Sequence, residues 1–195
     1  MGASISAEGD KIQTRLWRNF APRWERILRQ EQERPVFTSG GQADLPPKYR
    51  RLWENMLVTF RGKDEMFKAR AVCGFMNTQF HSASDMELYK RPDHWAAPAE
   101  MIEKGAGDSE DFAFIKYFAL RSLGFKADDI RLLVVDLPGE AETRDVLLAV
   151  RIKDKMYIQD FSFRPADLLL PVSDAMAKLY KPVAAFNEEG VWYYR

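Results

Sequence analysis

The sequence has one cysteine, two histidines and no long apolar run, and each shortage removes a class of protein. A single cysteine, Cys73, excludes an internal disulfide and a zinc site built from several thiolates. No apolar stretch approaches the roughly 20 residues that a membrane-crossing helix needs. Lysine plus arginine equals aspartate plus glutamate, at 29 each, so no net field argues for nucleic acid. Nor does any stretch interleave basic residues with aromatics in the manner of a strand-binding groove. Internal repeats and low-complexity segments are missing too. The opening residues Met1 to Ser6 lack the apolar segment of a signal peptide.

Aromatics are plentiful, with 13 Phe, 5 Trp and 7 Tyr in 195 residues. That supports one substantial core, and we expect a helical N-terminal extension over 1–45 and a main domain over 46–195. Glu8 to about Arg34 reads as helical, with an apolar stripe of Ile12, Leu16, Trp17, Phe20, Trp24, Ile27 and Leu28. Pro22 should break it in two or bend it. A loop over 36–47 precedes a helix from Pro47 to Phe60. A third helix, from Asp64 to about Phe80, carries Met66, Ala69, Val72, Cys73, Met76 and Phe80 on one face, which makes Cys73 a core thiol. The stretch from His81 to Pro98 reads as irregular.

After the middle of the chain the pattern changes to strands. Ile130 to Asp136 is short, apolar and β-branched. Asp145–Ile152 and Lys155–Phe161 should pair as a hairpin around Lys153-Asp154. A turn and short helix follow over 164–181, and Val191 to Tyr194 reads as a last strand. Helices followed by an antiparallel sheet make an α+β domain.

The central feature is Gly105-Ala106-Gly107-Asp108-Ser109-Glu110-Asp111-Phe112, a glycine-rich loop running into an acidic helix start. Phe112, Ile115, Phe118, Ala119 and Leu123 recur at helical spacing and predict one apolar face. Asp108 or Ser109 can serve as N-cap, Glu110 and Asp111 suit the helix dipole, and Gly124 marks the stop. A hydroxyl here is a helix cap or a nucleophile, and local chemistry alone favours the cap.

Taken with His94-Trp95-Ala96-Ala97-Pro98-Ala99-Glu100 upstream and Lys116-Tyr117 and Leu123-Gly124 downstream, this motif resembles the bacterial transglutaminase-like cysteine peptidases. The likeness runs from about Met66 to about Leu170. The best-known members are calcium-dependent periplasmic proteases that release biofilm adhesins. The resemblance implies a papain-like, transglutaminase-like fold, a central helix packed on an antiparallel sheet, and a periplasmic setting.

The resemblance also implies a catalytic triad, and here the chain departs from the family. The cysteine nucleophile's position is held by Ser109, the histidine's by Arg144 in Arg144-Asp145-Val146-Leu147, and the aspartate's by Asp160. Arginine stays protonated and cannot accept a proton. The sequence therefore reads as a catalytically inactive homologue that binds a peptide or protein segment in the former active-site groove. Arg144, if it faces Ser109, would make that groove an anion site. Two alternatives stand beside this: a hydrolase using Ser109 with a recruited histidine, His94 ahead of His81, or a cysteine protease whose nucleophile was engineered to serine. Asp108, Glu110 and Asp111 match the family's calcium ligands, though helix capping asks for the same residues. Trp95, beside His94, is a further candidate in the groove.

Overall fold

In the computed structural model, which describes residues 7–37, 45–136, 144–159, 169–171 and 180–194, helices come first and a sheet follows. Helix α1 (Ala7–Glu33) runs unbroken through Pro22, so the expected break does not occur. The reason lies in its packing. Trp24 and Ile27 are buried, and the Trp24 ring sits 5.3 to 6.0 Å from those of Phe114, Tyr117, Phe118 and Phe186. Trp24 Nε1 donates to the carbonyl of Asn187 at 3.1 Å. Residues 17–33 of α1 thus share one core with the rest of the chain.

Helix α2 (Pro47–Phe60) begins on Pro47, whose missing N–H costs nothing in a first turn. Helix α3 (Glu65–Gln79) is capped by Asp64, which accepts from Phe67 N at 2.8 Å. Its Ala69, Val72, Cys73 and Met76 are buried, as the spacing predicts. Cys73 is fully buried, which suits a core thiol.

The stretch from His81 to Pro98 holds more order than its sequence suggests. Strand β1 (His81–Ser82) pairs in parallel with β2 (Ala106–Gly107). Between them lie the short helices α4 (Asp85–Tyr89) and α5 (Pro98–Lys104). A reciprocal Ser84–Glu87 capping box starts α4.

Helix α6 (Ser109–Ser122) starts from Asp108, whose carboxylate accepts from Asp111 N. Of the two expected caps, Asp108 is the one used. A single apolar face understates this helix, because Phe112, Ala113, Phe114, Ile115, Tyr117, Ala119 and Leu120 are all buried. It packs against α3 and α5 on one side and the sheet on the other, so solvent has little access to any face.

The sheet contains β3 (Ile130–Asp136), β4 (Arg144–Ile152), β5 (Lys155–Gln159), β6 (Leu170–Pro171), β7 (Lys181–Asn187) and β8 (Gly190–Tyr193), in spatial order β6-β5-β4-β3-β7-β8 and antiparallel throughout. Lys153, at a φ of 54°, turns the β4–β5 hairpin. Leu132, Val134, Val146, Leu148, Val150, Ala184 and Phe186 join the helical core, while Leu133, Val135, Leu147, Ala149 and Ala185 form a second cluster on the other face. This is the alternation a two-sided sheet requires.

Strand β7, interior to the sheet, has no counterpart in the sequence reading. Its Pro182 argues against an interior strand, since proline donates no ladder hydrogen bond. A register shift between Val134 and Val135 accommodates it, pairing Val134 with Ala184 and Val135 with Pro182. Asp160 and most of the short helix expected over 164–181 lie outside the described residues.

Candidate functional site

The β1–β2 bridge decides the site. Ser82 pairs with Gly107, and Ala83 N donates to the Gly107 carbonyl at 3.0 Å, which lays the start of α4 beside the start of α6. Gly107 is required there, because a Cβ would come within 2.8 Å of Asp111 Cβ and 2.9 Å of its Oδ2.

The result is a nest of carboxylates at the head of α6. Asp85, Asp108 and Asp111 bring oxygens within 4.8 Å of one another, and Asp85, Asp93 and Glu110 form a second such group. Asp111, 1% exposed, accepts from Ala96 N through Oδ1 at 2.7 Å. Asp85, 4% exposed, accepts from His94 N through Oδ2 at 2.5 Å. The remaining oxygen of each, Asp111 Oδ2 and Asp85 Oδ1, is buried without a hydrogen-bond partner. Such atoms are costly unless something satisfies them.

Electrostatics point the same way. Burial and the neighbouring Asp111, Glu110 and Asp85 push the Asp108 carboxyl up to about 10. Asp111 is raised well above the carboxylate range, mainly by burial and then by Glu110 and Asp85. Glu110 is raised by burial, with Asp145 adding repulsion. The Tyr89 phenol, buried without a hydrogen-bond partner, is held neutral by burial and by Asp111, Glu100, Asp85 and Asp108. Negative charge is crowded here, and a hard cation with oxygen ligands is what such a nest accommodates.

The cation expected to serve as an anion site, Arg144, already has a carboxylate beside it. Arg144 lies opposite Asp136 in the β3–β4 register, and its Nε is 3.0 Å from Asp136 Oδ1. Its charge is engaged at a part-exposed end of the sheet, while the field around Glu110 is set by carboxylates.

Ser109 is the first residue of α6, and its hydroxyl donates to Glu110 Oε2 at 3.2 Å. Among the described residues, neither histidine is hydrogen-bonded to Ser109. His81 is exposed on β1 and pairs with Ala106. His94 packs against Tyr89 with the rings tilted and their centroids 4.1 Å apart, and its Nε2 faces Glu100 Oε1 at 3.6 Å. Burial lowers the His94 pKa, against the opposing pull of Glu100, and keeps the ring neutral near pH 7. Glu100 is itself held by Arg26 at 3.0 Å and by Ala97 N at 2.8 Å.

Trp95 is a core residue. It is 3% exposed and stacked between Phe20 and Phe186, at 5.4 and 5.8 Å, with its carbonyl bonded by Arg26. Of the residues read from the sequence, the structure thus brings together Asp108, Glu110 and Asp111 and sets Ser109 beside them. The sequence reading missed Asp85 and Asp93. No local pattern marks them, since Asp85 looks like the first-turn acid of a capping box.

Comparison with known proteins places the fold. Residues 54–166, more than half of the chain, match the family described as bacterial transglutaminase-like cysteine proteinase, BTLCP. Among solved structures, calcium-bound LapG of Legionella pneumophila is similar at 27% identity, with 87% of this chain and 86% of that chain covered and a TM-score of 0.64. EGTA-treated LapG of the same organism is similar at 26% identity, covering 88% and 85%, with a TM-score of 0.65. The search of curated proteins gave no match. The fold is that of a transglutaminase-like cysteine protease, and with the motif at the head of α6 and the sheet behind it both accounted for, the chain belongs to the bacterial transglutaminase-like cysteine proteinase family.

Proposed function

We propose that this chain is a calcium-binding, non-catalytic member of its family that holds a peptide or protein segment. Two observations support the non-catalytic reading: the Ser109 hydroxyl is bonded to a carboxylate, and Arg144, which the resemblance sets at the position of the family's base, is ion-paired with Asp136. Serine needs a base more than cysteine does, because its alkoxide is far less accessible than a thiolate. Loss of a nucleophile or its base in a hydrolase costs about a million-fold in turnover.

The calcium reading is supported by the donor set. Asp85, Asp108 and Asp111 offer oxygens at mutual distances suited to one ion, and two of their oxygens are buried without partners. Glu110 and Asp93 stand close enough to Asp85 to add ligands. Calcium there would offset the repulsion that raises Asp108 and Asp111, and would tie α4 to the head of α6. A proteinase family supports a protein segment as the partner, and the family resemblance supports a periplasmic setting.

The test is hydrolysis of adhesin-derived peptides by the wild type, Ser109→Ala and Ser109→Cys, each in calcium and in EGTA. We expect no cleavage by any of them, with peptide binding retained. Cleavage by the wild type that Ser109→Ala abolishes would make the protein a serine-dependent hydrolase. Cleavage by Ser109→Cys alone would make it a cysteine protease lacking its nucleophile.

A further inference from the structure

A second site lies at the other end of α6. The helix advances about 1.5 Å per residue, so its last turn is roughly 20 Å from the acidic nest. There a cavity of about 670 Å³ opens between α1, the end of α6 and the loop after it. Ligand pockets for small molecules span roughly 300 to 1,000 Å³. Leu28, Pro35, Phe37, Phe118 and Phe125 make its walls apolar and largely aromatic.

The polar groups of the lining differ in what they have left to offer. Arg121 is 2.7 Å from Glu188 and also bonds the Phe125 carbonyl, so that pair cancels. The Ser122 hydroxyl donates to the Ala119 carbonyl at 2.7 Å. Lys126 is exposed to water. Gln32 is exposed as well. Glu31 remains: its Oε1 accepts from Val36 N at 3.0 Å and the Phe37 N–H adds a further pull on the carboxylate, but Oε2 is buried with no hydrogen-bond partner. The Tyr117 hydroxyl is buried and unpartnered as well.

We propose that this cavity binds a small amphipathic amine, an aromatic or branched aliphatic body carrying one primary ammonium group. An ammonium supplies donors and no acceptor, which is what an unpartnered carboxylate oxygen and a phenol oxygen can both use. The body fills the apolar walls. An anionic ligand of the same shape meets Glu31 as a like charge, and one without a donor leaves Oε2 unsatisfied. Burial pushes Glu31 up to about 7, so the ammonium binds its ionised form and affinity falls as pH drops below that value. Arg121 with Glu188, Lys126 and Tyr117 are the other charged or titratable groups in the lining, and the first two cancel.

The probe is phenethylamine, titrated into the full chain by calorimetry at pH 8.0 and 5.5, with 3-phenylpropionate as the anionic control. Glu31→Gln is the diagnostic variant, because its amide oxygen can still accept from Val36 N and its melting curve reports folding. We expect binding at pH 8.0 that weakens at least tenfold at pH 5.5, weakens about tenfold or more in Glu31→Gln, and is not matched by phenylpropionate. No binding at pH 8.0, equal binding by a folded Glu31→Gln, or equal binding of the acid would each overturn the proposal. Calcium plays no part in it, so its outcome is independent of the acidic nest.

Discussion

Calcium should stabilise this protein strongly at neutral pH, and Asp111→Asn should reverse the order of wild type and variant. Without a cation, Asp85, Asp108, Glu110 and Asp111 crowd the head of α6, and burial with mutual repulsion lifts Asp108 from 3.8 to about 10. A carboxyl whose folded pKa is raised favours the protonated folded state. Its stabilising contribution is therefore present below about pH 4 and is lost as pH rises towards 10. In EGTA the protein should melt lower at pH 7.5 than at pH 5. At a free calcium concentration 100 times its Kd, one bound ion adds about 2.7 kcal/mol. For a chain of this size each kcal/mol moves Tm by about 2–4 °C, so calcium should raise Tm by roughly 5–11 °C at pH 7.5. At pH 5 protons compete for the same oxygens and the shift should shrink.

Asp111→Asn keeps the acceptor for Ala96 N and removes one charge and one orphan oxygen. In EGTA the variant should melt at or above the wild type, and in calcium it should melt below it. Differential scanning calorimetry of both proteins under the four conditions reads this directly. A wild type indifferent to calcium at pH 7.5, or a variant that keeps the full shift, would refute the reasoning.

Four further outcomes follow, three from the packing and one from a buried charge. Gly107→Ala puts a Cβ against Asp111 and should abolish the calcium-induced Tm shift while leaving a folded protein by circular dichroism. Trp24→Ala should cost about 3–5 kcal/mol in urea unfolding, since the ring is enclosed by four others and its loss leaves a cavity. By the same logic, deleting the first 35 residues should give insoluble protein. Glu31→Gln should raise Tm relative to wild type at pH 8.5 and leave it unchanged at pH 4, because the cost of ionising buried Glu31 is felt only as pH rises from about 4.5 through about 7.

Local chemistry determined a good deal by itself. Pro47 at a helix start, Asp108 as a cap, the apolar spacing of α3, and the β-branched run of β3 each act over a few residues, and each is found where the sequence puts it. The motif at the head of α6 was enough to indicate the family, and the arginine in Arg144-Asp145-Val146-Leu147 already argued against an intact triad. Tertiary structure decided the rest. Pro182 reads as a strand breaker until a bulge beside Val134 seats it, and Pro22 reads as a helix breaker until Trp24 is seen locked in the core. Arg144 reads as a free cation until the β3–β4 register sets Asp136 against it. Asp85 is the clearest case. In sequence it is the first acid of a five-residue helix, 23 positions before Asp108. A two-residue parallel bridge, His81–Ser82 on Ala106–Gly107, turns it into a buried member of the carboxylate nest. Caps and periodicity are written in neighbouring residues, whereas a ligand set is assembled by backbone pairing between segments that carry no mark of each other.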